Sequence, residues 1–239
     1  MGWMIMAALV AFFIKGLCGF ADALLFTTIL SFTADNVGIS PLILLLGYPS
    51  NIILIWRGRK QLDWKIWLPL TAMVAAGSIP GIFLLKNADA RIIKVIFGFV
   101  VVLIGMEMLL RERMPGKSSG SKAALLVIGI LSGILSGMYG IGALLAAYVN
   151  RVTESNQAFK ANMCAVFLAE NTIRIVLYAC TGIITPDIFK RAVLLMPFML
   201  LGILLGIKSS TVLDEKIVKK FVVLMLIFSG VMLVLSNVR

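Results

Sequence analysis

The sequence predicts an all-α polytopic membrane protein made of two duplicated halves, and three observations lead to this fold class. Hydrophobic residues make up 61% of the 239-residue chain, and they gather in runs of about 20 residues, the length that spans a bilayer as a helix. Similar motifs recur in the same order in both halves. The apolar runs predict about four helical segments per half. The segment that opens each half is interrupted by glycines, so we expect that first segment to be broken.

The most informative segment opens the second half, at Ile128–Tyr148. Its first part places Gly129 and Gly133 on one helix face, where a second backbone can approach closely. Several glycines then crowd into Gly137–Gly142, and glycine is unfavourable inside a helix because it costs backbone entropy. In a membrane, broken backbone is tolerated only where it lines a cavity or is buried in protein. The segment therefore indicates a binding site; the alternative is a glycine-rich helix crossing without a ligand.

The segment that opens the first half has the same character. An apolar run ends at Ile14, the interruption Lys15–Asp22 follows, and a second apolar run begins at Ala23. The N-terminus lacks a basic n-region and a small-residue cleavage site, so we predict a membrane segment rather than a removed signal. The remaining predicted segments are 41–56, 66–85 and 92–110 in the first half, and 158–180, 188–207 and 217–235 in the second.

The two halves are predicted to be repeats, 1–112 and 123–239, joined by a polar linker at 113–122. If each broken segment crosses the membrane once, the halves are parallel. If each folds back as a hairpin of two short helices, the halves are inverted. The inverted arrangement separates Lys and Arg more strongly between the two sides, as the positive-inside rule favours. We therefore predict inverted-topology repeats with a cytoplasmic linker and both termini outside.

Charge and residue types exclude several functional classes. The formal net charge is +11, but the basic residues lie in short loops between apolar runs, which is typical of membrane topology. Nucleic acid is therefore not an expected partner. The chain contains no histidine, and its three cysteines lack the spacing of a metal or redox site. The sequence predicts no metal, no cofactor and no enzymatic activity.

A polar stripe interrupts the apolar segment 158–180. Arg174 lies well inside it, and an arginine at the centre of a membrane helix costs at least ~2.5–3.5 kcal/mol. Glu170 precedes it by one helical turn and can offset that cost as an ion pair, while Asn171 lies on an overlapping face. The stripe indicates an anion site in which Arg174 supplies charge and Asn171 a hydrogen bond. The alternative is a structural ion pair that faces neighbouring helices.

Further candidates surround the first break. Lys15 and Asp22 flank it, and a charge at membrane depth is a functional hypothesis by default. Lys15 is predicted to bind substrate, although it could pair with Asp22 or Glu170. Asp22 is either the N-cap of the next helix or, like Glu170, a carrier of a proton or coupling cation. Other predicted site residues supply hydrogen bonds or backbone near the breaks and on the first-half equivalent of 158–180: Gly19, Ser50, Asn51, Ser136, Tyr139 and Gly140.

Motif order suggests a known family. A basic loop leads into Gln61-Leu-Asp-Trp-Lys65 and then Gly77-Ser-Ile-Pro-Gly81, and the second half repeats this as Pro186-Asp187 and Gly202-Ile-Leu-Leu-Gly206. With the two glycine-broken segments, this order resembles the TauE/SafE sulfite exporter family of membrane permeases. The resemblance implies transport of sulfite, sulfonates or related anions across a bacterial inner membrane. The usual family break, GIGGG followed by a proline, is absent from both breaks here, so the resemblance extends to the fold but leaves the substrate open.

The sequence therefore predicts a multi-pass secondary transporter for a small anion, most simply sulfite or a sulfonate, working by alternating access at the repeat interface. Alternatives are a transporter of the same fold for a carboxylate or other small solute, and a non-transporting membrane scaffold or chaperone. An intramembrane enzyme lacks the residues it would need. Expected partners are the anion, the lipid bilayer and a coupling proton or cation. The sequence is compatible with a homodimer without fixing the oligomeric state.

Overall fold

A computed structural model describes residues 2–31, 36–87 and 155–210, together with isolated positions between 95 and 153 and between 220 and 235. These parts of the chain are helical and contain no strand, as the sequence predicts. The continuous helices are α1 (Gly2–Cys18), α2 (Asp22–Ser31), α3 (Asn36–Gly58), α4 (Trp64–Asn87), α5 (Asn156–Cys180) and α6 (Pro186–Ser209), and a short 3₁₀ turn, Arg59–Gln61, separates α3 from α4.

Length and composition suit several of these helices to a membrane. Within the described residues, three helical stretches are long and apolar enough to cross a bilayer, namely Gly38–Gln61, Gln157–Cys180 and Pro186–Ser209. Large apolar side chains on the outer face of α6, such as Leu201 and Leu205, are more than half exposed. Exposure of leucine over a whole helix face is what a lipid-facing surface requires. For the described residues, the prediction of an all-helical fold with helices of membrane-spanning length is confirmed.

The first segment is broken and the chain reverses there. α1 ends at Cys18 and α2 begins at Asp22; between them, Gly19 (φ 84°) and Ala21 (φ 76°) adopt left-handed backbone conformations. The indole nitrogen of Trp3, near the start of α1, donates a hydrogen bond to the carbonyl of Ile29, near the end of α2, at 3.2 Å. α2 therefore runs back alongside α1.

The break is shorter than the sequence suggested, because Lys15 and Gly16 belong to the last turns of α1. The absence of a side chain at Gly16 serves helix packing. A Cβ atom there would lie 2.9 Å from the Cα atom of Gly206 in α6, so the two backbones are in direct contact. Gly202 lies one turn before Gly206, and a Cβ atom there would lie 2.7 Å from the carbonyl oxygen of Leu9 in α1. Small residues at such crossings permit the close van der Waals packing that holds membrane helices together.

α3 and α5 form the second close pair, and they run antiparallel. Ser40, near the start of α3, is within hydrogen-bond distance of Tyr178, near the end of α5. At the other end of α3, a Cβ atom on Gly58 would lie 2.7 Å from the Cβ atom of Ala161. The buried Asn162 fastens this end, because its amide group accepts a hydrogen bond from the backbone nitrogen of Asp63 and donates to the carbonyl of Gln61.

Several predictions lie outside the described residues. They are the second break at Gly137–Gly142, with Tyr139 and Gly140, the linker at 113–122, and much of the predicted segments 92–110 and 217–235. Gly133, which precedes that break, is described, and it packs against Gly77 in α4: a Cβ atom on Gly77 would lie 3.0 Å from the Cα atom of Gly133.

Candidate functional site

A buried ion pair joins the two helices of the first break. The ammonium group of Lys15 lies 2.7 Å from the Oδ2 atom of Asp22, and both residues are buried. The chain reversal brings them together, since Lys15 is in the last turn of α1 and Asp22 is the first residue of α2. Each charge also has the favourable sign for the dipole of its own helix end. The sequence offers Lys15 two carboxylates as ion-pair partners, Asp22 and Glu170, and in the structure Lys15 pairs with Asp22.

Arg174 is the second buried cation, with 1% of its surface exposed. Its Nη2 atom donates hydrogen bonds to the hydroxyl oxygens of Ser40 at 3.0 Å and Tyr178 at 3.2 Å. Its Nε atom lies 3.8 Å from Oε1 of Glu170, while Oε2 of Glu170 accepts a hydrogen bond from Ser136 at 2.8 Å. The predicted Glu170–Arg174 pair is therefore present, but hydroxyl groups make the shorter contacts with the guanidinium.

Asn51 is the most unusual polar residue of the site. It is 1% exposed, and neither its amide nitrogen nor its amide oxygen has a hydrogen-bond partner in the described structure. A buried amide without partners is unfavourable by about 1–3 kcal/mol, and native structures contain few of them. The neighbouring Ser50 donates to the carbonyl of Gly47 within its own helix at 2.7 Å.

These residues surround one small cavity. Its lining residues come from α1, α2, α3 and α5 and are Lys15, Asp22, Ala23, Ile43, Leu44, Gly47, Asn51, Phe167, Asn171 and Arg174. The volume is ≈ 20 Å³, which has room for about one water molecule. A Cβ atom on Gly47 would lie 3.5 Å from Oδ2 of Asp22 and 3.7 Å from the amide nitrogen of Asn171, so the missing side chain keeps this space open.

The sequence-predicted residues divide into two groups. Lys15, Asp22, Asn51, Asn171 and Arg174 converge on the cavity. Four other described residues do not line it: Ser50 is bonded to its own helix, Glu170 pairs with Arg174, Ser136 donates a hydrogen bond to Glu170, and Gly19 packs against Lys160.

The comparisons with known proteins agree with this architecture. The sequence model of the family described as "Sulfite exporter TauE/SafE" matches residues 4–233. The chain belongs to the TauE/SafE family. A protein of Cupriavidus necator named "Probable sulfite/organosulfonate exporter TauE" is 23% identical over 155 residues, which is 62% of this chain and 59% of that relative. The matched region thus spans less than two thirds of the relative. No solved structure matches the chain.

Membership of the TauE/SafE family confirms the resemblance inferred from motif order. Within the described part of this TauE/SafE protein, no group of three His, Cys, Asp or Glu side chains could hold a metal ion. The cavity instead offers ammonium, guanidinium and amide donors, which suit an oxyanion.

Sequence reasoning missed Gly47, Ser40 and Tyr178 in this TauE/SafE protein. Tyr178 follows Arg174 by one helical turn, a spacing that predicts contact on the same face, and its ring lies under the guanidinium at 5.4 Å. Gly47 precedes Asn51 by one helical turn, so these two residues also lie on the same helix face. Ser40 lies in another helix from Arg174, and no pattern in the sequence connects the two.

Proposed function

We propose that this protein is a secondary transporter that moves a small oxyanion, sulfite or an organosulfonate, through the cavity between α1, α2, α3 and α5. One observation carries the proposal: two buried cations and the unpartnered amide of Asn51 line the same small cavity. Family membership and the name of the Cupriavidus necator relative support the choice of sulfur oxyanions.

In this proposal each group has a distinct task. Lys15 and Arg174 provide the positive potential that attracts the anion, and the amides of Asn51 and Asn171 donate hydrogen bonds to its oxygens. Charge-assisted hydrogen bonds of this kind are about twice as strong as neutral ones. Gly47 provides the space. Because the cavity of ≈ 20 Å³ is smaller than a sulfite ion needs, the helices must separate before the anion enters.

We also infer that the halves 1–112 and 123–239 are inverted repeats that work by alternating access. α3 and α5 are equivalent segments of the two halves, and they pack antiparallel, as two helices related by an axis in the membrane plane must. Two further contacts support the same axis. α1 packs on α6 through Gly16 and Gly206, and α4 packs on the start of the second broken segment through Gly77 and Gly133. Such repeats rock against each other in many transporters.

The proposed setting is a bacterial inner membrane, crossed several times. The family and the three membrane-length stretches support a membrane location. The predicted positive-inside pattern supports a cytoplasmic linker at 113–122.

The proposal is tested by flux into proteoliposomes. We expect the purified protein to admit labelled sulfite and methanesulfonate faster than protein-free vesicles do. Arg174→Met should lose this flux, whereas Arg191→Met, which changes a surface residue with 52% side-chain exposure, should keep it. The transporter proposal is wrong if sulfite, sulfonates and simple carboxylates all fail to enter. A scaffold would tolerate Arg174→Met without any loss of partner binding.

A further inference from the structure

We propose that Asp22 takes up one proton with each anion, so that transport of a monoanion is electroneutral. This inference rests on the proposed transport function. Its basis is the geometry of the cavity: a carboxylate lines a site built for an anion, and that carboxylate is bonded to the cation that the anion would need.

Two ion pairs lie at the cavity, Lys15–Asp22 and Arg174–Glu170, and the formal charges of each pair cancel before any ligand enters. A bound monoanion would add one uncompensated negative charge in a buried, apolar region, which is strongly unfavourable. A proton on one carboxylate restores neutrality and leaves one cation free to face the anion.

The structure distinguishes the two carboxylates. Glu170 accepts a hydrogen bond from Ser136 and faces Arg174, and it does not line the cavity. Asp22 does line it, and its Oδ2 atom lies 3.5 Å from the place where a Gly47 Cβ atom would project. An anion oxygen at that place would meet an ionised Asp22 as a like charge. A protonated Asp22 would instead donate a hydrogen bond to it.

The surroundings of Asp22 contain few other groups that could titrate in its place. α1 contributes Lys15, and the cavity-lining residues of α3 are Ile43, Leu44, Gly47 and Asn51, which do not titrate. α5 contributes Lys160, which donates to the carbonyl of Gly16, and Cys164, whose thiol faces the carbonyl of Gly19. Farther along α5 are Glu170, Arg174 and Tyr178. Among the described residues, only Asp22 combines a carboxylate with direct exposure to the cavity.

The proton path follows from this arrangement. On the side where the anion binds, a proton from the aqueous phase joins the Asp22 carboxylate as its bond to Lys15 is replaced by the bond between Lys15 and the anion. On the other side the anion leaves, the proton returns to water, and the Lys15–Asp22 pair forms again. No charge moves in a complete cycle with a monoanion.

Methanesulfonate is the suitable probe, because it is the anion of a strong acid and brings no proton of its own. Proteoliposomes with a trapped pH indicator report protons, and labelled methanesulfonate reports the anion. We expect one proton per anion for the unmodified protein, with a final accumulation that does not respond to an imposed potassium diffusion potential. Asp22→Asn should remove the proton flux. Methanesulfonate accumulation by this variant should then depend on the imposed membrane potential, with a concentration ratio of up to about 50-fold at 100 mV for one charge.

Two variants serve as controls. Asp187→Asn makes the same chemical change at a side chain that is 77% exposed, and it should keep one proton per anion. Glu170→Gln should slow the flux without changing that ratio. The inference is overturned if the unmodified protein moves methanesulfonate without protons, or if Asp22→Asn still moves one proton per anion. If the Asp22 variant does not fold, the inference is still tested by the unmodified protein, through the number of protons moved per anion and the effect of the membrane potential on anion accumulation. If no anion enters at all, the proposed transport function itself is wrong.

Discussion

Substitution of Gly47 by alanine separates the stability of the fold from the use of the cavity. Gly47 lies inside α3, where replacement of glycine by alanine favours the helix by about 1 kcal/mol. The added methyl group meets Asp22 at 3.5 Å and Asn171 at 3.7 Å, which are ordinary contact distances. The fold should therefore accept it, and the melting temperature should stay the same or rise.

The same methyl group occupies space that the anion needs in the proposed transport function. An extra methyl group in a filled site costs about 1–3 kcal/mol, which is about a 5- to 150-fold loss of anion affinity. Gly38→Ala is the matched control, because Gly38 lies in the same helix with nothing within 4 Å of its would-be Cβ atom. Uptake of labelled methanesulfonate and thermal unfolding measure the two effects. If Gly47→Ala transports as well as Gly38→Ala does, the anion does not pass beside Gly47 and the placement of the site is wrong.

Two other substitutions test the site and the packing that holds it. Asn51→Leu removes an amide that has no partner, so the protein should become more stable by about 1–3 kcal/mol while uptake falls; equal uptake with raised stability would remove Asn51 from the proposed site. Gly16→Ala would place a methyl group within 2.9 Å of Gly206, so the melting temperature should fall as α1 and α6 separate; an unchanged value would show that this contact relaxes without loss.

The fold class could be predicted from the sequence because the membrane leaves few choices. Apolar runs of helical length must become helices where no water can satisfy the backbone, and glycines mark either breaks or close contacts. The sequence cannot tell these two uses of glycine apart. The sequence pattern places Gly16 in the break, but in the structure Gly16 contacts α6, whereas Gly19 lies in the break with a φ of 84°. The difference depends on what the opposing helix places nearby, which is tertiary information.

The candidate site could be predicted in part, for a related reason. A charged or amide side chain in a membrane segment is conspicuous, so Lys15, Asp22 and Arg174 could be found without a structure. Their partners could not all be found, because Ser40 is an ordinary small polar residue whose role depends on where α3 crosses α5. Ser50 shows the converse: the sequence predicts it as a site residue beside Asn51, yet its hydroxyl donates to the carbonyl of Gly47 in its own helix.

The cost of the buried polar groups is itself an argument for transport. Buried ion pairs often contribute less stability than apolar residues of similar size, and the unpartnered amide of Asn51 adds a further penalty. These groups surround a cavity of ≈ 20 Å³ between helices of both proposed repeats. An anion can use them only after the helices separate, so it must bind the separated arrangement better than this one. A ligand shifts a conformational equilibrium only by such a difference in affinity. If the protein is the proposed transporter, the small cavity and the destabilising charges together give the anion the means to drive the movement that carries it across.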